Sequence, residues 1–149
     1  IRDGAARLGL PNIRTELQDA SVCREEWKDS ADVVLCDVPC SGLGIIRKKP
    51  EIRFKNPDEI RTLPEIQARI LANCAQYVKK GGTLVYSTCT ILQRENEDVV
   101  RAFLTENPEF EAVSWTHPVC GERADGMVTL LPPVHNTDGF FIAKMHRKV

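Results

Sequence analysis

The stretch "VVLCDVPCSGLG" (residues 33–44) decides the fold. Its first half is a valine-rich apolar run, the mark of a strand buried on both faces of a parallel sheet. It then passes through Asp37 and Pro39 into Cys40, followed by Ser41, Gly42 and Gly44. Glycines at such a place permit a tight turn and close approach by a ligand. A second stretch, "TLVYSTCT" (83–90), repeats the design, with an apolar strand leading into hydroxyls around Cys89. Two thiols therefore stand at the ends of two strands.

Working outward, helical and strand-like segments alternate. "IRDGAARLGL" reads as the tail of an amphipathic helix that closes at Gly9, and "NIRTELQ" (12–18) as a short strand ending at Asp19. After Gly44 comes a basic loop, "IIRKKPEIRFKNPDE", whose two prolines argue against a regular element. Thr62 and Glu65 spell a T-x-x-E capping box, with Pro64 in the first turn. Ile66, Ile70, Leu71, Cys74, Tyr77 and Val78 then recur on one helical face, Lys79 and Lys80 sit at its negative end, and Gly81 is expected to close it. A second helix over residues 93–107 turns Val99, Val100, Phe103 and Leu104 inward and stops at Pro108. "FEAVSW", "MVTLL" and "GFFIAKMH" read as strands. This order predicts an α/β, doubly wound architecture. Ligands of such sheets lie beyond the carboxyl ends of the strands, which places Asp19, Asp37–Cys40 and Ser87–Thr90 along one rim.

Composition narrows the class. The 149 residues suit one domain, and 42% hydrophobic residues suffice for a core. A formal charge of −1 announces no nucleic-acid binder in the totals, and no apolar run is long enough for a membrane span. Six cysteines without a secretory signal read as reduced thiols of a cytoplasmic protein. Without C-x-x-C or H-x-x-x-H pairs no metal centre is expected. Cys36 and Cys74 lie inside apolar periodic runs and read as core wall, whereas Cys40 and Cys89 are followed by residues that leave the core. The densest positive cluster is Arg47, Lys48, Lys49, Arg53 and Lys55, beside Cys40; it is either a solvated face or a set of phosphate contacts.

These residues carry a resemblance. D-x-P-C-S-G-x-G at Asp37–Gly44, with Y-S-T-C-T at Tyr86–Thr90, resembles the S-adenosylmethionine-dependent RNA cytosine-C5 methyltransferases. "IIRKKPEIRFK", "ENEDVV" and "TDGFFIAKM" resemble the Sun-type (RsmB) enzymes of bacterial small-subunit ribosomal RNA. The resemblance implies the C-terminal portion of a Rossmann-like fold, a mostly parallel sheet with an antiparallel C-terminal strand. It assigns Cys89 as the nucleophile that adds to cytosine C6, and Cys40 as the residue that assists release. DNA cytosine methyltransferases place the nucleophile in the P-C motif, so having both cysteines points to the RNA branch. Asp37 is implied to meet the flipped cytosine or the methionine end of the cofactor, with Pro39 beside it, and Asp19 the adenine end. For Asp37 a turn-forming role, and for Asp19 an ordinary loop aspartate, are the alternatives. Asp138, Gly139 and Phe140 match the family and shape the rim. The cluster Arg47, Lys48, Lys49, Arg53 and Lys55 is implied to hold RNA. The substrate implied is 16S ribosomal RNA, with transfer RNA, a non-catalytic RNA-binding module and a thiol redox protein as alternatives.

The family's first strand, its glycine-rich cofactor loop and the acidic residue after its second strand have no counterpart in residues 1–149. The expectation is a partial catalytic domain that holds only part of the cofactor pocket and is inactive by itself.

Overall fold

The structure, a computed structural model, describes all 149 residues. In chain order the elements are helix α1 (Arg2–Arg7), strand β1 (Ala31–Asp37), helices α2 (Pro57–Arg61) and α3 (Leu63–Ala75), strand β2 (Val78–Thr88), helix α4 (Glu97–Glu106), strands β3 (Phe110–Ala112), β4 (Trp115–His117), β5 (Gly121–Arg123) and β6 (Met127–Leu130), helix α5 (Pro132–His135) and strand β7 (Phe140–Arg147). No helix is long and apolar enough to cross a membrane.

The fold is α/β. β1 and β2 pair in parallel, with Cys36 opposite Tyr86 and Asp37 opposite Ser87. Parallel neighbours need a long crossover, and α2 and α3 supply it. The C-terminal strand β7 runs antiparallel to β2 on the other side. Its first half pairs with β6 and its second half with β3, both antiparallel, while β4 and β5 form a separate hairpin.

Strand alternation decides which side chains meet the helices. Cys36 of β1, Leu84 and Tyr86 of β2, and Phe141, Ala143 and Met145 of β7 face α3 and α4, and join Ile70, Leu71, Val99, Val100 and Phe103 in one core. Tyr86, fully buried, donates its hydroxyl proton to the Glu95 carbonyl at 2.6 Å, so the ring enters the core without an orphaned polar atom.

Several expectations are corrected. β1 is buried on one face only: Val33 and Leu35 are 63% and 67% exposed, because β1 is an edge strand and the helices of these residues cover the opposite face. Residues 12–18 form no strand; nothing pairs with them, and Leu17 is fully exposed. The capping box does not form, because α2 runs straight into α3 and leaves Thr62 in helical conformation, its hydroxyl donating to the Glu59 carbonyl. A capping side chain needs extended backbone at that position. Asn56 meets that need and caps α2, accepting from the Asp58 N–H. α3 ends at Ala75 rather than at Gly81, because the Tyr77 carbonyl accepts from the Ser30 and Ala31 N–H groups and commits the chain to β2. The basic loop is not irregular throughout: Pro50 and Pro57 each open a short helix, the 3-10 turn Pro50–Phe54 and α2.

Because only one sheet face is filled, truncations on the two faces should differ. Leu84→Ala, on the buried face, should cost about 3 kcal/mol, and Leu35→Ala, on the open face, less than about 1 kcal/mol. Urea unfolding of this chain measures both, and equal losses would contradict the one-sided core.

Candidate active site

Three loops reach one rim because of the strand directions. β1 and β2 are parallel, so Pro39–Gly42 and Cys89–Thr90 leave the sheet at the same end; β7 is antiparallel, so Asp138–Phe140 arrive there as it begins. Cys40 Sγ and Cys89 Sγ lie 3.3 Å apart, and both face a cavity of about 470 Å³. Asp37, Lys49, Lys55 and Phe140 also line it.

The loops are fastened to one another. Ser41 Oγ and Thr90 Oγ1 share a hydrogen bond of 2.7 Å, the Gly44 N–H donates to the Cys89 carbonyl, and the Gly139 N–H donates to the Gly44 carbonyl at 2.8 Å. A Cβ on Gly44 would lie 2.1 Å from the Gly139 carbonyl oxygen, so only glycine fits where the loops touch. Asp37 accepts from Ser87 Oγ at 3.0 Å, tying the strand ends together.

Beneath the loops lies a polar brace that sequence reasoning missed. Glu95 is fully buried; one carboxylate oxygen accepts from the Ser41 N–H at 2.8 Å and from Gln67 Nε2 at 2.9 Å. Gln67 Nε2 also donates to the Pro39 carbonyl. Asn96, also fully buried, accepts from Thr88 Oγ1 at 2.6 Å and donates to the Thr90 carbonyl. Glu95 thus holds the Cys40 loop and its neighbour Asn96 holds the Cys89 loop. The available signals were a glutamine within the apolar face of α3 and the "ENEDVV" run just after Cys89, whose resemblance to the family assigns no role to its residues.

The environment of Cys40 sets its protonation state. Burial, and the neighbouring Cys89, push the Cys40 thiol up to about 12, so it stays protonated at neutral pH. The protonated Cys40 thiol can donate to the Cys89 sulfur 3.3 Å away. Cys36 is buried and its thiol is also held up, by Cys74 and by burial, in keeping with its place in the core.

The profile of the 16S rRNA methyltransferase RsmB/F family matches residues 1–146. The chain belongs to that family. It is 44% identical over 99% of its length to the probable ribosomal RNA small subunit methyltransferase B of Bacillus subtilis, covering 35% of that protein. With ribosomal RNA small subunit methyltransferase B of Thermus thermophilus the identity is 40% over 96% of this chain and 35% of the relative. Among solved structures, NSun6 from Pyrococcus horikoshii with SFG, an S-adenosylmethionine analogue, superposes with a TM-score of 0.81 at 26% identity, covering 98% of this chain and 37% of that one. The crystal structure of PH0851 gives 0.90 at 35% identity, covering 98% and 33%. The chain spans about a third of the length of these relatives.

In this member of the RsmB/F family, the residues singled out by sequence fall into two groups. Asp37, Pro39, Cys40, Cys89, Lys49 and Lys55 line one cavity. Asp19 lies outside it, in a turn where it accepts from the backbone and hydroxyl of Ser21, which hold its carboxyl below the usual range. Arg47 and Lys48 both pair with Asp138, whose carboxyl Lys48 and Arg47 hold down; Lys49, Arg53 and Lys55 make no ion pair. Asp138, which the sequence left without a role beyond the rim, is thus the anchor of the basic loop.

The geometry makes three testable statements. Diamide treatment of this chain should join Cys40 to Cys89 ahead of any other pair, since the sulfurs need only move about 1.2 Å closer; peptide mapping showing preferential linkage elsewhere would contradict the convergence. Alkylation of Cys40 by iodoacetamide should rise about tenfold per pH unit and show no plateau by about pH 10, because its thiolate appears only towards about 12; a plateau near pH 8 is the contrary result. Glu95→Ala should destabilise the chain by about 2–3 kcal/mol by stranding the Ser41 and Gln67 donors, whereas Glu95→Gln, which keeps an acceptor oxygen, should cost distinctly less on urea unfolding.

Proposed function

We propose that the chain carries the catalytic thiols of an enzyme that methylates C5 of a cytosine in RNA, with S-adenosylmethionine as cofactor and bacterial 16S ribosomal RNA in the cytoplasm as substrate. The observation that carries this reading is the 3.3 Å approach of the Cys40 and Cys89 sulfurs in one cavity, beside the Asp37 carboxylate. A single thiol at a strand end is most simply core wall; two thiols sharing a cavity with a carboxylate are a reaction centre. Family membership and the activities for which the relatives are named support it.

The chemistry explains why two sulfurs are needed. Cytosine C5 is a poor nucleophile while the ring is aromatic. Addition of the Cys89 thiolate to C6 forms a C–S bond and moves the ring electrons to C5. S-Adenosylmethionine supplies an electrophilic methyl group on a sulfonium sulfur. C5, carrying that electron pair, would bond the methyl carbon while the methyl–sulfonium bond breaks with its pair left on the cofactor sulfur. The C5 proton then leaves to a base, its bonding pair restores the C5–C6 double bond, and the C6–S bond breaks with the pair returning to Cys89. Cys40 does not compete as a nucleophile, because its thiol is neutral. Its S–H, 3.3 Å from Cys89 Sγ, instead stabilises negative charge on that sulfur as it attacks and as it leaves.

The cavity fits the cofactor chemically. The exposed Asp37 carboxylate complements the ammonium and sulfonium charges of the methionine end, and Pro39 offers an apolar edge. Asp19 is assigned to the adenine end. A base inside a helix cannot reach such a site, so the cytosine must be extruded. Lys49, Arg53 and Lys55, free of ion pairs, are the primary phosphate contacts, while Arg47 and Lys48 share the charge of Asp138.

In the complete gene product, Cys89→Ala should reduce methyl transfer at least about a thousandfold. Cys40→Ala should let a covalent protein–RNA adduct build up, visible as a denaturant-resistant shift on a gel. Methyl transfer surviving in Cys89→Ala would reverse the roles.

A further inference from the structure

Of the nine aromatic residues in the chain, eight are buried or half-buried. Phe54 alone stands in solvent, 87% exposed, between Arg53 and Lys55. An aromatic ring left in water inside a strongly basic segment buries no apolar surface in the fold. It ends the 3-10 helix Pro50–Phe54, whose Ile52 is buried against Gly42 of the cysteine loop. On its other side Lys55 Nζ donates to the Ser41 carbonyl at 2.8 Å. Ile52 and Lys55 both line the thiol cavity. Phe54 therefore lies between two residues that contact the loop carrying Cys40 and line its cavity, while its own ring stands in solvent.

We propose that Phe54 is a stacking platform for a nucleobase of single-stranded RNA flanking the extruded cytosine. The inference rests on the RNA-methyltransferase reading and adds a base-binding position to it. Every base has a π-face, and an aromatic ring interleaved with cations is the arrangement that holds unpaired RNA: the ring takes the base while Arg53 and Lys55 take the flanking phosphates. A platform rigidly registered to Cys40 would also fix where the neighbouring nucleotide lies relative to the reacting ring. Loss of the ring should then weaken RNA binding without touching the sulfur chemistry or the cofactor.

The test uses the complete gene product and a single-stranded RNA oligonucleotide that it methylates, with the same sequence in a duplex as the comparison. Phe54→Ala should raise the Kd for the single strand about tenfold or more, leaving the KM for S-adenosylmethionine and the melting temperature unchanged. Phe54→Trp should restore affinity and give a new indole fluorescence that the single strand quenches and the duplex does not. Phe54→Leu, apolar but without a π-face, should not restore it. Unchanged affinity in Phe54→Ala, or full rescue by leucine, would overturn the stacking role; rescue by leucine would point instead to an apolar protein contact. A parent protein that binds no RNA would overturn the functional reading and this inference with it, whereas a parent that binds RNA equally well without the ring overturns only this inference.

Discussion

The parallel pairing of β1 and β2 is the constraint on which the site depends. Register places Asp37 opposite Ser87, so the residues that follow each strand emerge side by side. Cys40 and Cys89, far apart in the chain, become neighbours without any special contact between distant segments. The antiparallel entry of β7 brings Asp138–Phe140 to the same rim. Hydrogen bonds among the loops then convert proximity into a fixed distance. Glu95 and Asn96, adjacent at the start of α4, hold one loop each, so the helix start sets the spacing between the two sulfurs. Glu95 Oε2, Gln67 Nε2 and both Asn96 amide atoms engage loop donors and carbonyls, while Glu95 Oε1 and Gln67 Oε1 are buried without a partner.

The surroundings of Cys40 set its chemistry. Burial and the neighbouring sulfur keep Cys40 protonated. A neutral S–H close to a second sulfur is a hydrogen-bond donor available whenever charge develops there.

Much of this was legible in the sequence, and the failures have physical causes. The apolar runs of β1 and β2 announced two strands, and the Val99–Phe103 stripe of α4 announced a helix whose burial follows period and polarity. Convergence of Cys40 and Cys89 followed from strand order alone. What periodicity could not supply was competition between neighbouring elements. Thr62 has the letters of a helix cap but lies in helical conformation between α2 and α3, and Gly81 has those of a helix stop but bends a strand. Residues 12–18 alternate like a strand yet have no partner to pair with. Both-face burial of β1 failed for a related reason, since a run of apolar letters cannot say whether a second layer covers it. Glu95, Gln67 and Asn96 escaped notice because charged and amide side chains read as surface unless their partners are known. Of the basic cluster, the sequence showed the charge but not that Asp138 neutralises part of it.

The central claim is that the sulfur of Cys89 bonds to the pyrimidine while that of Cys40 stays a thiol. RNA bearing 5-fluorocytosine tests it most directly, because fluorine cannot leave C5 as a proton does and the bond to sulfur is trapped. Mass spectrometry of the trapped complex from the complete gene product and S-adenosylmethionine should find one methylated fluoropyrimidine nucleotide attached to the peptide containing Cys89. Attachment to the peptide containing Cys40, or methylation with no attached nucleotide, would contradict it.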